Sequence, residues 1–278
     1  MTAVIIGASS GLGRALAVEL ASRKQPLLLV ASERRDVEAT CADLRLRHGI
    51  QARSLGMDLG RDPDPGGKVL AALDGLPSVT ALLMPVGVSR RDDDLSLDAA
   101  AIAQLLAVNL TAPLVIAHRL LPALLESKGT VVLFGSVAAQ RGRGKNVAYA
   151  AAKRGLTSFA ESLRQRYKTR ELHVHLWQLG FLRTNLTHGM KLPLPALAPN
   201  EAAKTVVDRL GKGSFERYLP SWWWAHHFHH QAPAVVCLSA HEGLKSPLAP
   251  VRTAHGTCPP KAYIRQASLS ASLYCALI

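Results

Sequence analysis

Tyr149 and Lys153 stand four residues apart in Tyr149-Ala150-Ala151-Ala152-Lys153, an alanine-rich segment with the composition of a helix. At that spacing both side chains lie on one helical face, one turn apart. A phenol, with an ordinary pKa near 10, is a poor acid–base group at neutral pH unless its anion is favoured. A neighbouring ammonium favours it electrostatically. Ser136 follows an apolar run, where its hydroxyl is expected to hold a substrate oxygen. Asn109, in a long helical segment, is expected to orient a water and the lysine in a proton relay. A Tyr-x-x-x-Lys pair alone is commonly just a helix face. All four residues, in this order behind a glycine-rich first turn, carry far more weight.

That turn is Val4-Ile5-Ile6-Gly7-Ala8-Ser9-Ser10-Gly11-Leu12-Gly13-Arg14, an apolar run leading into glycines spaced G-x-x-x-G-x-G. Glycines permit unusual backbone angles and remove Cβ atoms that would keep a phosphate away. The helix that follows offers unpaired N–H groups and the positive end of its dipole to the anion.

The elements positioning these groups alternate between strand and helix, which predicts a doubly wound, mostly parallel sheet with helices on both faces. Strands are expected over Ala3–Ile6, Leu27–Ala31, Gln51–Met57, Ala81–Met84, Thr130–Phe134, Leu172–Leu179 and Phe215–Leu219, seven in all. Helices are expected over Gly11 to about Arg23, Asp36–His48, Lys68–Leu73, Leu97 to about Leu125 with a bend near Pro113, Ala148 to about Lys168, and Asn200–Leu210 capped by Asn200. The ligand site of such a fold lies at the C-terminal ends of the strands.

With 278 residues and 48% hydrophobic content the chain can bury a sizeable core. No run reaches the roughly 18 to 20 uninterrupted apolar residues of a membrane span. A first strand at about Ala3 leaves no room for a secretory signal peptide, so a cytoplasmic protein is expected. Cys41, Cys237, Cys258 and Cys275 show no C-x-x-C spacing and form neither a zinc motif nor a disulfide frame, and Cys41 fits a packed helix position. The net charge of +13 is high, but the basic residues are scattered and not interleaved with aromatics. They describe a basic surface attractive to an anionic cofactor rather than a nucleic-acid platform.

From Ala3 to about Leu219 the sequence resembles the short-chain dehydrogenase/reductase family, of the classical type. The resemblance rests on Gly7-Ala8-Ser9-Ser10-Gly11-Leu12-Gly13, Asp58-Leu59, Gly87, Asn109-Leu110, Gly135-Ser136, Tyr149 with Lys153, and Gly180 through Thr184. It implies a Rossmann-like fold and an NAD(P)-dependent oxidoreductase passing hydride between a nicotinamide and a carbonyl or alcohol carbon. Tyr149 would then be the general acid/base. Lys153, aided by the positive nicotinamide, would lower its pKa and hold the ribose. Ser136 would position the substrate oxygen, and Asn109 would complete the relay. Gly7, Ser9, Ser10, Gly11, Leu12 and Gly13 would cradle the phosphates, with Asp58 and Leu59 at the adenine edge, Gly87 nearby, and Gly180 and Thr184 on the nicotinamide side. Homodimers or homotetramers through the long helices are also implied.

Several residues depart from the family pattern. Ile6 stands where threonine is frequent, Met84-Pro85-Val86-Gly87 replaces Asn-Asn-Ala-Gly, and Leu179-Gly180 replaces Pro-Gly. The missing asparagines remove hydrogen bonds that tie strand ends together, but no acid–base group is lost. At the end of the second strand an acid would bind the 2′-hydroxyl of NAD and repel a 2′-phosphate. This chain reads Val30-Ala31-Ser32-Glu33-Arg34-Arg35. The Ser32 hydroxyl and Arg34 fork suit a phosphate, favouring NADP(H) over NAD(H), while Glu33 argues the other way. Leu186 to Pro199 falls where the family places a substrate-covering loop, and its Leu and Met content suits an apolar substrate.

After about Ala225 the pattern changes, so the catalytic domain is expected over 1–224, with an atypical tail over 225–278. The paired histidines of His226-His227-Phe228-His229-His230 lack other well-spaced ligands, and no metal is expected. Read one base later with permissible codons, this region can yield an apolar, basic run resembling a family ending, so the tail reads as a frameshifted or disordered segment. The rival to a small-molecule carbonyl or alcohol enzyme is a catalytically weak nucleotide-binding regulator sensing redox state. Such a sensor has no need to keep Ser136, Tyr149 and Lys153 together.

Overall fold

Runs of aliphatic residues too short for helices become strands buried on both faces, as in β1 (Thr2–Ile6) and β2 (Leu27–Ala31), whose residues are all buried. The computed structural model describes residues 1–167, 171–189, 192 and 194–223. The remaining strands are β3 (Ala52–Gly56), β4 (Val79–Met84), β5 (Thr130–Ser136), β6 (His173–Leu179) and β7 (Phe215–Leu219). They form one seven-stranded sheet in the order β3-β2-β1-β4-β5-β6-β7. Every pairing is parallel. The order reverses between β1 and β4, and this switch point opens a crevice beyond the strand ends.

Alternation along β1 divides the core in two. Ala3 and Ile5 face α1 (Gly11–Ser22), α2 (Arg34–His48) and α7 (Pro199–Val207). Val4 and Ile6 face α3 (Pro65–Ala72), α5 (Ala112–Glu126) and α6 (Val147–Arg166). Cys41 is buried on α2, where desolvation pushes its thiol up to about 11. This is the packed position expected from the sequence.

Four local differences have physical causes. The α3 helix begins at Pro65 rather than Lys68, because the Asp64 carboxylate accepts from Gly67 N at 2.9 Å and proline is tolerated in the first turn. The α7 helix is capped at Ala198 rather than Asn200, with Pro199 in the first turn and Glu201 reaching back to the Ala198 N–H. The long helix is interrupted before Pro113: α4 (Ala99–Leu106) passes through a π-turn (Ala107–Thr111) into α5. Pro113 follows the π-turn directly, where the helix changes its hydrogen-bonding pattern. β5 runs two residues beyond Phe134, as Gly135 and Ser136 pair with Gln178 and Leu179.

The helical run Ala99–Glu126 is long and apolar enough, by length and composition, to cross a membrane. A count of uninterrupted apolar residues does not register it. One side of α5 is committed to the core through Ile116, Ala117, Leu120 and Leu124. The histidine pairs, Cys237, Cys258, Cys275 and the tail expected over 225–278 lie outside the described residues.

Candidate active site

A cleft of about 750 Å³ opens over the C-terminal ends of β1, β2, β4, β5 and β6. Its nucleotide side is made mostly of backbone. Gly7 has φ +95, and a Cβ there would stand 2.8 Å from Val86 Cα. A Cβ on Gly13 would fall 1.9 Å from the Gly7 carbonyl oxygen, so only glycine lets α1 start this close to β1. Ser10 caps α1 without a side-chain hydrogen bond, leaving the first amides of the helix to a ligand. This cradle fits a dinucleotide: the glycines let β1, α1 and the segment after β4 approach closely, and Ser9, Ser10, Gly11 and Leu12 line the cleft at the open start of α1.

The chemical side is made of side chains. Ser136 ends β5, and its hydroxyl accepts from Ala138 N at 3.1 Å. The same side chain favours the anion of the neighbouring Tyr149 phenol. One turn on, the buried Lys153 ammonium lies 5.9 Å from the Tyr149 ring centroid. It donates to the carbonyls of Val86 (3.1 Å) and Phe134 (3.2 Å). Lys153 thus ties the ends of β4 and β5 together, supplying a link where the family's asparagines are absent. Desolvation pulls its pKa down to about 8. Desolvation also holds the Tyr149 phenol above its ordinary value, opposed by the Ser136 side chain. Burial outweighs Ser136 in the protein alone, and the expected lowering by Lys153 is not among the causes that act on the phenol.

Gly7, Ser9, Ser10, Gly11, Leu12, Gly13, Ser32, Asp58, Leu59, Gly87, Ser136, Tyr149, Lys153, Gly180 and Thr184 all line this cleft. Two predicted residues do not. Asn109 is fully buried in the π-turn, behind the lining. Its amide donates to Val88 O (2.8 Å) and Leu105 O (2.9 Å), and its oxygen accepts from Val88 N (3.1 Å). The side chain anchors the β4–α4 loop rather than facing the cleft. Arg34 points along α2, where its Nε donates to Glu38 Oε1 at 2.7 Å with the side chain 80% exposed. Glu33, not Arg34, joins Ser32 in the lining.

Sequence reasoning missed Arg90, Arg143, Asn146 and Phe181, which also line the cleft. The first three stand in irregular loops with no periodic signature. The expected covering segment turns through Asn185–Thr187 and returns to β6, where Leu197 N donates to Phe181 O at 2.9 Å. Leu186 lines the cleft and is 46% exposed. Trp223 packs behind Gly180 and edge-on to Phe181, with centroids 5.8 Å apart.

Residues 1–193 match the short chain dehydrogenase family. A very-long-chain 3-oxoacyl-CoA reductase of Anas platyrhynchos is 23% identical over 75% of this chain and 68% of its own. The 3-oxoacyl-acyl-carrier-protein reductase of Escherichia coli is 26% identical over 68% of this chain and 76% of its own. A short-chain dehydrogenase from Sphingobium yanoikuyae, solved in complex with NADPH, superposes with a TM-score of 0.72 at 24% identity. That alignment covers 87% of this chain and 98% of the other. The chain belongs to the short-chain dehydrogenase family, NAD(P)-dependent oxidoreductases acting on CH–OH and C=O groups.

Proposed function

We propose that this protein interconverts a carbonyl compound and its alcohol with Tyr149 as the general acid/base. The observation that carries the reading is that Ser136, Tyr149 and Lys153 come together on the lining of one cleft, with the Lys153 ammonium 5.9 Å from the centre of the Tyr149 ring. A bound nicotinamide supplies or accepts the hydride. Ser136 and Tyr149 hold the substrate oxygen between them, and in reduction the phenol hands its proton to that oxygen. Lys153 stabilises the phenolate left behind. Gly7 to Gly13 would hold the pyrophosphate, Asp58 and Leu59 the adenine edge, and Gly180 and Thr184 the nicotinamide side.

The relatives named for 3-oxoacyl thioesters and the apolar residues Phe181, Leu182 and Leu186 in the lining support a substrate with an extended apolar arm. NADP(H) is preferred in this reading, with Ser32 at the adenosine end and Arg34 reaching the 2′-phosphate once released from Glu38. The catalytic unit is residues 1–224, and self-association uses the α4–α5 side, where Ile102 and Val115 are exposed.

A reductase screen with NADPH and NADH over diverse carbonyl compounds, run beside Tyr149→Phe, tests the proposal. Turnover in the parent protein and its loss in the variant, with cofactor binding intact in both, is the expected result. Cofactor binding without turnover of any carbonyl would favour the sensor.

A further inference from the structure

The catalytic helix α6 is capped from elsewhere in the chain. Its first turn is Val147-Ala148-Tyr149, and those three amides have no partner within the helix. The preceding residue, Asn146, is of a type that caps helices. Yet its backbone is left-handed (φ 56, ψ 45), its side chain makes no capping bond, and it lines the cleft instead. All three amides go to one residue of the β4–α4 loop. Val147 N donates to Asp93 O at 3.2 Å, Ala148 N to Asp93 Oδ1 at 2.9 Å, and Tyr149 N to Asp93 Oδ2 at 2.9 Å.

Asp93 is 3% exposed, and its two aspartate neighbours are engaged differently. Asp92 pairs with Arg90 and Asp94 accepts from Ser96, both on the surface. A buried carboxylate is costly unless its oxygens are satisfied. Two amides at the positive end of a helix satisfy them. The loop holding Asp93 is itself fixed twice more at the site, by Lys153 on Val86 O and by Asn109 on both polar backbone groups of Val88.

We infer that Asp93 is a positioning residue for the acid–base site: its carboxylate replaces the missing cap of α6 and holds Tyr149 against Ser136. The inference rests on the reading of Tyr149 given above. Residues 141–145, which lead into the helix, are exposed and include Gly142 and Gly144, so they offer the first turn no packing. Without Asp93 that turn frays, and the phenol is the side chain displaced. The charged groups nearest the phenol are Lys153 on its own helix and Asp93 at the helix start, with Arg90 and Arg143 lining the same cleft.

The test compares the full-chain parent with Asp93→Ala, Asp93→Asn and Tyr149→Phe. Asp93→Ala should lower kcat on the order of ten- to a hundred-fold, while KM and affinity for the cofactor stay within about two-fold. Because proximity to Ser136 favours the phenolate, displacing the phenol from it should move the Tyr149 limb of the pH–rate profile upward. Asp93→Asn, isosteric and retaining one acceptor oxygen, should fall between parent and alanine variant, and it serves if the alanine variant does not fold. A lower melting temperature with kcat and the pH limb unchanged would make Asp93 a purely structural cap and overturn the inference. If the parent turns over no carbonyl, the functional reading fails, and tyrosinate absorbance decides separately. The parent-minus-Tyr149→Phe difference reports the Tyr149 titration. An upward shift in Asp93→Asn supports positioning, and an unchanged titration overturns it.

Discussion

The two halves of the cleft solve their problems with different materials. Around β1 and α1 the site is backbone: glycines remove side chains, and the start of a helix is left open to an anion. Around β4, β5 and α6 it is side chains drawn from distant parts of the chain, with an aspartate binding amides 55 and 56 residues away. Titratable groups follow the same division. Lys153 and Tyr149, both perturbed by burial, lie in the second half, and among the described residues the first holds no group shifted by burial on its lining. A backbone site fails by steric intrusion, and a side-chain site fails by loss of a single functional group.

The sharpest separation comes from Tyr149→Phe, expected to cost roughly 10²–10⁴-fold in kcat while cofactor affinity, measured by fluorescence titration, is unchanged. Gly13→Ala should do the reverse damage. Its Cβ would stand 1.9 Å from the Gly7 carbonyl oxygen, so the turn must move. Cofactor binding should be lost, together with about 1–3 kcal/mol of stability measured by denaturant unfolding.

A third experiment uses a buried histidine of β6 that lies outside the cleft lining and so serves as a control on both halves. His175 is fully buried, with Nε2 2.7 Å from Gly213 O and the ring stacked on Phe215. Desolvation pulls its pKa down to about 4. Between the ordinary value of 6.5 and about 4, the unfolded chain binds the proton and the folded one does not. Stability therefore falls as pH drops through that window, by on the order of 3 kcal/mol when complete. His175→Phe should lower stability at neutral pH yet flatten the dependence of melting temperature on pH below about 6.5. An unaltered slope would assign acid sensitivity to other groups.

The smallest effect lies at the adenosine end. Glu38→Gln frees Arg34 from its exposed pair and should raise the preference for NADPH over NADH by about two- to five-fold. No change in that ratio would leave Ser32 and Glu33 as the discriminating groups.

The same division governs what the sequence reveals. The glycine spacing at Gly7–Gly13 and the Tyr149/Lys153 interval are local signals, tied to short covalent distances, and the five inner strands follow from local apolar content, whereas the edge strands β3 and β7 are more polar. The Asp93 cap has no local signature: three aspartates in a row look equivalent until the fold buries one. The π-turn at Asn109 was hidden by Pro113, whose disruptive effect depends on its place within a helix. Arg34 has the right chemistry and position for a phosphate, but Glu38 one turn on is an equally good partner. Sequence displays which groups are present, and tertiary structure decides which competitor each one meets.

The contact of Trp223 with Gly180 has an optical consequence. The sequence holds four tryptophans, Trp177, Trp222, Trp223 and Trp224, all at or beyond β6. Trp223 backs onto Gly180 in the cleft lining, and Trp222 stacks on it with centroids 4.9 Å apart. Indole emission overlaps the absorption of a reduced nicotinamide, so a dinucleotide seated there would quench the protein's own fluorescence by energy transfer. The chain carries its own reporter of cofactor docking, with no label attached and no turnover required.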